Sequence, residues 1–252
     1  MGIPGLLCAK RCAERAVCAK LASGTIKKSP VIPLVQHLYA FSTPRYERLW
    51  DLRVHHVPIN LPQLMAKIGN DSPPAAIKPR ARGYGRDLAR SSAFFGVKIN
   101  GLPSNFMAAS NRFTSHQAQR LLIVACDKHG DDSKEAKNLI REFFSTFHSR
   151  LSGTEVVVDD DLMKECCIRS GICAEEAEAM IRVSATEEIK RKLKANTMEA
   201  AEKGAFGVPT MVWDSPKLPL RDRMFFGSDR FEQIAFLLGK DWRGPVPERS
   251  KL

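Results

Sequence analysis

The sequence predicts an α/β fold in which an all-helical block interrupts a small β-sheet domain. Short strand-like runs occur near both ends of the chain, and a long middle stretch repeats apolar residues with helical spacing. The 252 residues are 44% hydrophobic and 27% charged, which is ordinary globular composition. No apolar run is long enough to cross a bilayer, so we expect no membrane span.

The first part of the sheet domain is predicted over residues 45–75, after a divergent and poorly ordered segment over residues 1–44. Pro44 is typical of the first helical turn, and the short helix it opens is expected to end near Trp50. A strand is predicted within residues 53–60.

Residues 76–183 are predicted to form the helical block. One helix is expected to begin at Thr114, and the next covers residues 133–148 with apolar side chains every three or four positions. Two shorter helices are expected near residues 160–170 and 174–183.

The sheet domain is predicted to resume over residues 184–252. Ser184 and Glu187 have capping-box spacing, which predicts the start of a helix. Beyond that helix, residues 210–213 and 224–227 are predicted to be the two strands of a hairpin.

The last helix is predicted to have Ser228 as its N-cap and Gly239 as the glycine that ends it. Apolar residues recur at helical spacing between these two positions. The predicted buried stripe consists of Phe231, Ile234, Ala235 and Leu238.

The net charge of +11 suits either phosphate contacts with nucleic acid or an anionic small ligand. No zinc-finger or RNP-type motif accompanies the basic residues, and few aromatic residues lie near them. We therefore do not expect nucleic acid as a partner.

The seven cysteines are odd in number and irregularly spaced, which predicts free thiols in a reducing compartment. No C-x-x-C motif occurs, and its absence argues against dithiol–disulfide exchange. Cys8, Cys12 and Cys18 lack a fourth Cys or His nearby, so we expect no metal site.

The last three residues, Ser250-Lys251-Leu252, match the signal that a peroxisomal import receptor recognises. This predicts a peroxisomal protein. A mitochondrion is the alternative location, because the basic, acid-poor N-terminal residues loosely resemble a transit peptide.

A proline stands at the mouth of a predicted strand in the stretch GAFGVPTMVW, residues 204–213. If the Val208–Pro209 bond is cis, the backbone N–H and C=O of Val208 face outward and can pair with an extended peptide. An ordinary trans proline at the start of a strand is the alternative.

The Gly227-Ser228-Asp229 turn lies between a predicted strand and the last helix. Free N–H groups and the positive end of a helix favour an anion there. Ser228 could add a hydroxyl donor for a carboxylate, and Asp229 could accept from an ammonium group. Together they would match a free amino acid, although simple helix capping also explains Ser228.

The stretches GAFGVPT and MFFGSDRFEQIAFLLGKDWRGPVP closely resemble the C-terminal part of kappa-class glutathione transferases. These are DsbA-like, thioredoxin-fold transferases of mitochondria and peroxisomes. RYERLWDLRVHHVPINLPQLMAKIGN, residues 45–70, is similar to the segment that follows the first helix of that family. The resemblance covers residues 45–252. It implies a thioredoxin-like domain with an all-helical insertion, a homodimer, and glutathione as a substrate.

The resemblance also implies the roles of individual residues. Val208, before cis Pro209, would pair with the cysteinyl backbone of glutathione. Ser228 and Asp229 would hold the γ-glutamyl carboxylate and amine. Asn70 would reach the glycyl side of the ligand.

Two further positions depart from the family pattern. Arg80 or Arg82 would stand in for a lysine that lies near the glycyl carboxylate. The family's thiolate-stabilising serine belongs to a Ser-Pro-Tyr-Ser turn after the first strand, but counting back from Arg45 puts Pro33 there. The nearest fragment, Ser29-Pro30, lies upstream and lacks the tyrosine. We therefore expect the first strand to be missing or irregular and assign no catalytic residue.

The leading hypothesis is a transferase that conjugates glutathione to small electrophiles, with turnover impaired by the absent serine. One alternative is a glutathione-dependent isomerase of the 2-hydroxychromene-2-carboxylate type. The other is a non-enzymatic, DsbA-like binding or scaffold protein, which would bind glutathione without lowering the pKa of its thiol.

Overall fold

The structure, a computed structural model, describes residues 24–28, 44–70, 78–101, 104, 116–214 and 223–246. Several predictions lie outside the described residues. They include the N-cap at Thr114, the signal Ser250-Lys251-Leu252, the free thiols of Cys8, Cys12 and Cys18, and the comparison of Pro33 and Ser29-Pro30 with the family serine. The predicted boundaries between the three segments of the chain stay predictions.

Four strands form one mixed sheet in the order β2-β1-β3-β4. β1 and β2 are parallel, whereas β3 is antiparallel to both β1 and β4. The predicted C-terminal hairpin is confirmed as β3 and β4. The strands are β1 (Gly24–Lys28), β2 (Leu52–His56), β3 (Thr210–Asp214) and β4 (Met224–Phe226).

The prediction that the first strand is missing or irregular is wrong. β1 is a central strand, in which Ile26 pairs with Val54 of β2 on one side and with Trp213 of β3 on the other. Its sequence, GTIKK, contains a single large apolar residue. Backbone pairing on both sides defines this strand, and a side-chain pattern does not reveal it.

Helices make up most of the rest of the described chain. A π-helical turn, Thr146–Arg150, directly follows the helix Lys134–Ser145. The helices are α1 (44–50), α2 (Leu61–Ile68), α3 (Lys78–Phe95), α4 (His116–His129), α5 (Lys134–Ser145), α6 (Asp160–Arg169), α7 (Ala174–Ser184), α8 (Glu187–Glu202) and α9 (Phe231–Leu238).

The described residues contain four apolar clusters, of which the three largest hold these elements together. Helices α4 to α8 share a large core around Leu121, Phe143 and Met180. The sheet packs against α1 and α9 in a second cluster that contains Tyr46, Trp50, Met211, Trp213 and the predicted stripe of the last helix. The third cluster joins α2 and α8 to the segment before β3, and it positions the site described below.

Two predicted helix starts are wrong. Ser184 ends α7, where its hydroxyl donates to the carbonyl of Ile181 at 2.7 Å, and Thr186 precedes α8. Ser228 lies in the turn after β4, and α9 begins at Phe231 with Arg230 as its N-cap residue. The predicted end of α9 at Gly239 is confirmed, with φ of 62°.

Among the described helices, none combines the length and the apolar character that crossing a membrane requires.

Candidate functional site

The Val208–Pro209 peptide bond is cis, as the sequence analysis expected. Val208 is 8% exposed and packs with Ile59, Leu64 and Ala205. None of the described residues hydrogen-bonds to its backbone N–H or C=O. Buried backbone groups are normally paired, so this segment offers a donor and an acceptor to a ligand.

The two turns singled out from the sequence lie side by side. The N–H of Gly227 donates to the carbonyl of Pro209 at 3.0 Å, and Thr210 pairs with Phe226 where β3 and β4 begin their ladder. The hydroxyl of Thr210 also donates to the carbonyl of Gly207 at 2.8 Å. The hairpin therefore fixes the Ser228-Asp229 turn next to Val208.

Ser228 and Asp229 differ sharply in accessibility. Ser228 is 2% exposed, whereas the side chain of Asp229 is 63% exposed. Gly227 has φ of +104°, and a Cβ there would lie 2.5 Å from Oδ1 of Asp229. Glycine at position 227 therefore allows the Asp229 carboxylate to fold back over the turn.

Sequence reasoning missed Arg230. Its Nε donates to the carbonyl of Phe226 at 3.2 Å, and its Nη2 lies 3.4 Å from Oδ2 of Asp229. The side chain is 40% exposed. The available signal was its position directly after Asp229, which places a cation beside the anion in the same turn.

Asn70 reaches the same edge of the molecule from α2. Gly69 ends that helix in the left-handed conformation, and the N–H of Asn70 donates to the carbonyl of Met65 at 2.9 Å. The exposed side chain of Asn70 donates through Nδ2 to the carbonyl of Phe206 at 3.4 Å. Asn70 thus approaches the loop that carries Val208. Arg80 and Arg82 fall within α3.

An aromatic pair borders this loop. The rings of Phe206 and Phe226 have centroids 4.5 Å apart and are partly exposed. Next to them lies an open cavity of about 660 Å³. Apolar side chains of Phe206, Met224, Phe225 and Phe226 line it together with Lys203 and Arg230.

Three of the four described cysteines have raised pKa values. Burial is the main cause that raises the pKa of Cys126 to about 12, and the Asp131 carboxylate adds to it. Burial likewise raises the pKa of Cys166 to about 11 and that of Cys167 to about 12. These three thiols stay protonated near neutral pH, so they are poor nucleophiles.

A mixed four-stranded sheet, with a cis-proline loop where its third strand begins, defines a thioredoxin-like protein. The family model described as DSBA-like thioredoxin domain matches residues 37–239, and the chain belongs to that family.

The comparisons with individual proteins confirm the resemblance to the kappa class. The chain is 28% identical over 203 residues to glutathione S-transferase kappa 1 of Rattus norvegicus and of Homo sapiens, which covers 81% of this chain and 85% of each relative. A solved 2-hydroxychromene-2-carboxylate isomerase aligns with a TM-score of 0.67 and 18% identity, over 85% of this chain and 94% of that one. This second similarity shows the common fold.

Proposed function

We propose that the protein binds glutathione and transfers it to small electrophiles. The observation that carries this is the hydrogen bond between Gly227 and Pro209, which sets a charged turn beside a buried Val208 whose backbone groups have no described partner. The similarity to glutathione S-transferase kappa 1 over 81% of the chain supports the same activity.

Glutathione fits this arrangement as an extended peptide. The cysteinyl backbone pairs with the N–H and C=O of Val208, in the manner of an added strand. The γ-glutamyl group reaches the turn at Asp229, whose exposed carboxylate accepts from its ammonium group. The glycyl end extends toward Asn70.

Transfer requires the glutathione thiol to lose its proton near neutral pH. A free thiol has a pKa of about 8.5, and each unit of lowering needs about 1.4 kcal/mol of preferential stabilisation of the thiolate. β1 ends at Lys28, which pairs with Met211 two residues after Pro209. We assign no residue to the stabilisation of the thiolate, because the residues directly after β1 lie outside the described part of the chain.

Binding and turnover test this function separately. We expect the chain to bind glutathione by calorimetry and to conjugate it to chlorodinitrobenzene in a spectrophotometric assay. Asp229→Asn should weaken glutathione binding about tenfold, since it removes a charge-assisted hydrogen bond. Asp241→Asn is a charge-matched control that should change neither binding nor turnover. A chain that shows no glutathione binding rules out the proposal.

The similarity in fold to 2-hydroxychromene-2-carboxylate isomerase, at a TM-score of 0.67, supports an isomerase as the second candidate. That activity uses the same glutathione site without consuming glutathione. Assaying a hydroxychromene carboxylate beside chlorodinitrobenzene separates the two reactions. A scaffold protein would bind glutathione with no change in the thiol pKa, which thiolate absorbance in the ultraviolet measures.

A homodimer and peroxisomal import stay predictions. Light scattering of the purified chain tests the homodimer. To test peroxisomal import, Ser250-Lys251-Leu252 is fused to the C-terminus of a fluorescent protein, which should then enter peroxisomes.

A further inference from the structure

We propose that helix α3 presents a basic outer face that binds the surface of an anionic lipid membrane. This outer face is defined by Arg86, Arg90 and Phe94, all of which are exposed. None of the three belongs to the proposed glutathione site. The attachment is peripheral, with the helix lying along the lipid headgroups.

Burial divides α3 into two faces over its described side chains, residues 85–95. The inner face is more buried and consists of four positions at helical spacing: Leu88, Ser91, Ser92 and Phe95. Arg86 and Arg90 each lie about 160° from Leu88 around the helix, because successive residues turn by about 100°. The two arginines therefore point away from the inner face, in agreement with their exposure.

The C-terminal end of α3 is anchored to both parts of the molecule. Nη1 of Arg45, in α1, donates to the carbonyls of Phe95 and Pro245 at 3.0 and 2.8 Å. Just beyond the helix, the N–H of Asn100 donates to the carbonyl of His148 at 2.9 Å. These contacts fix the direction of the inner face, so the outer face is turned toward solvent.

The segment that contains this outer face is strongly basic. Residues 78–98 include six lysines and arginines but one acidic residue, Asp87. Arg90 pairs with Asp87 at 2.8 Å, yet the two side chains are 75% and 71% exposed. An ion pair this exposed is weak, so it leaves Arg90 accessible. Clustered charge of one sign raises the local concentration of an anionic partner.

Phe94 favours lipid over nucleic acid as that partner. The residue is 61% exposed and lies one helical turn beyond Arg90. Its ring packs edge-on against Phe95, with centroids 5.3 Å apart. An aromatic ring beside arginines suits a membrane surface, where the ring enters the boundary of the acyl chains and the guanidinium groups meet lipid phosphates. Single-stranded nucleic acids instead stack successive bases on several rings, and Phe94 is the one exposed ring among the described side chains of α3.

Co-sedimentation of the full chain with lipid vesicles tests the outer face. We expect binding to vesicles of equal parts phosphatidylcholine and phosphatidylglycerol to be about tenfold tighter than to phosphatidylcholine alone, and to weaken as salt is added. Arg86→Gln combined with Arg90→Gln should lower binding to the anionic vesicles about tenfold, since two charges are lost at the lipid surface. Phe94→Ala should lower it several-fold. Asp87→Asn should raise it several-fold, because it removes a negative charge from the same helix.

Arg191→Gln combined with Lys194→Gln is the matched control. It removes two exposed positive charges from α8 and should leave vesicle binding nearly unchanged. Thermal unfolding establishes that each variant is folded. Equal losses in the α3 and α8 variants would overturn the proposal, because vesicle binding would then follow net charge alone.

Three other outcomes also overturn the membrane proposal. One is a parent chain that binds neither kind of vesicle, or both kinds equally. Another is binding to a nucleic-acid duplex that depends on Arg86 and Arg90 while vesicles are not bound. The third is seen by light scattering: if the α3 substitutions dissociate a dimer and leave vesicle binding unchanged, the outer face is a contact between two copies of the chain.

Discussion

At the scale of single residues, two positions without a side chain let the site form. A Cβ on Gly207 would lie 2.8 Å from the ring of Phe226, and one on Gly227 would lie 2.5 Å from the carboxylate of Asp229. Because Gly207 has no side chain, the Phe226 ring can pack against the loop that contains Val208. Because Gly227 has none, the Asp229 carboxylate can lie over its own turn. At Gly207 the close ring leaves no room for a side chain, whereas at Gly227 the φ of +104° is what favours glycine, because the exposed Asp229 carboxylate can move aside.

We expect Gly207→Ala to weaken glutathione binding several-fold and to lower the free energy of unfolding by about 1–3 kcal/mol, because the new methyl group overlaps the Phe226 ring. Calorimetry and denaturant unfolding measure the two effects. Adding Phe226→Ala should restore much of the binding. Gly85→Ala is the control: a Cβ there meets nothing within 4 Å, and in α3 alanine should be neutral or stabilising. A Gly207→Ala variant with unchanged affinity would contradict this account.

The sequence allowed some residue roles to be predicted and hid others. The motif that contains Val208 and Pro209 led to the expectation of a cis bond, which is confirmed. The roles of Val208 and Asp229 toward a ligand stay predictions. The burial of Ser228 depends on how β4 leaves the sheet, and the exposure of Arg230 depends on the same turn. No local pattern encodes either property, so the accessibility of these two side chains could not be predicted from the sequence.

At the scale of secondary-structure elements, β1 shows how strand prediction fails. Central strands are defined by partners that lie far away in sequence, and β1 pairs with residues near positions 54 and 213. The hairpin of β3 and β4 was easier to predict because its two strands are close in sequence. Likewise, α9 has a clear apolar stripe and a terminal glycine, and both were confirmed.

We expect Ile26→Pro to destabilise the whole sheet, because proline removes a ladder hydrogen bond from a strand paired on both sides. The thermal midpoint should fall sharply, or the chain should fail to unfold cooperatively. Ile26→Val keeps the backbone N–H and a β-branched residue, so it should preserve the pairing on both sides of the strand. An Ile26→Pro variant as stable as the parent would show that β1 is not part of the folded sheet.

The side chain of Tyr46 joins helix α1 to the C-terminal residues Trp242 and Gly244. Its ring packs on Trp50 and Trp242, with centroids 4.1 and 5.1 Å away, and its hydroxyl donates to the carbonyl of Gly244. Tyr46→Phe should therefore cost about 1 kcal/mol of unfolding free energy, for the lost hydrogen bond. Tyr46→Ala should cost about 3–5 kcal/mol, for the lost packing. Denaturant titration distinguishes the two, and equal losses would mean that the ring contributes little.

At the scale of the whole molecule, polar contacts join the helical block to the sheet domain. Nδ1 of His55 in β2 lies 2.5 Å from Asp131, which precedes α5, and Lys137 of α5 lies 3.2 Å from Glu47 of α1. The class of fold could be predicted because the order of the elements and their apolar periodicity are visible in the sequence. These two polar contacts could not be predicted, because they depend on how the helical block is oriented against the sheet.

The buried thiols give the molecule a defined response to alkaline pH. The pKa of Cys126 is raised to about 12, that of Cys166 to about 11 and that of Cys167 to about 12, all well above the ordinary value of a free thiol. As pH rises past about 9, the unfolded chain releases these protons while the folded chain retains them. Proton release then favours unfolding, so the contribution to stability is fully present below pH 9 and is lost toward pH 11 to 12.

Comparing the partly buried thiol of Cys126 with one exposed thiol tests this dependence. Cys126→Ala should flatten the fall of unfolding free energy between pH 9 and pH 11, whatever it costs at neutral pH, because one shifted thiol no longer titrates. Cys173→Ser should leave that slope unchanged, since Cys173 is exposed. Urea titrations at several pH values measure the slope directly. If the two variants have the same slope as the parent chain, other groups govern alkaline unfolding, and the burial of Cys126 contributes nothing to it.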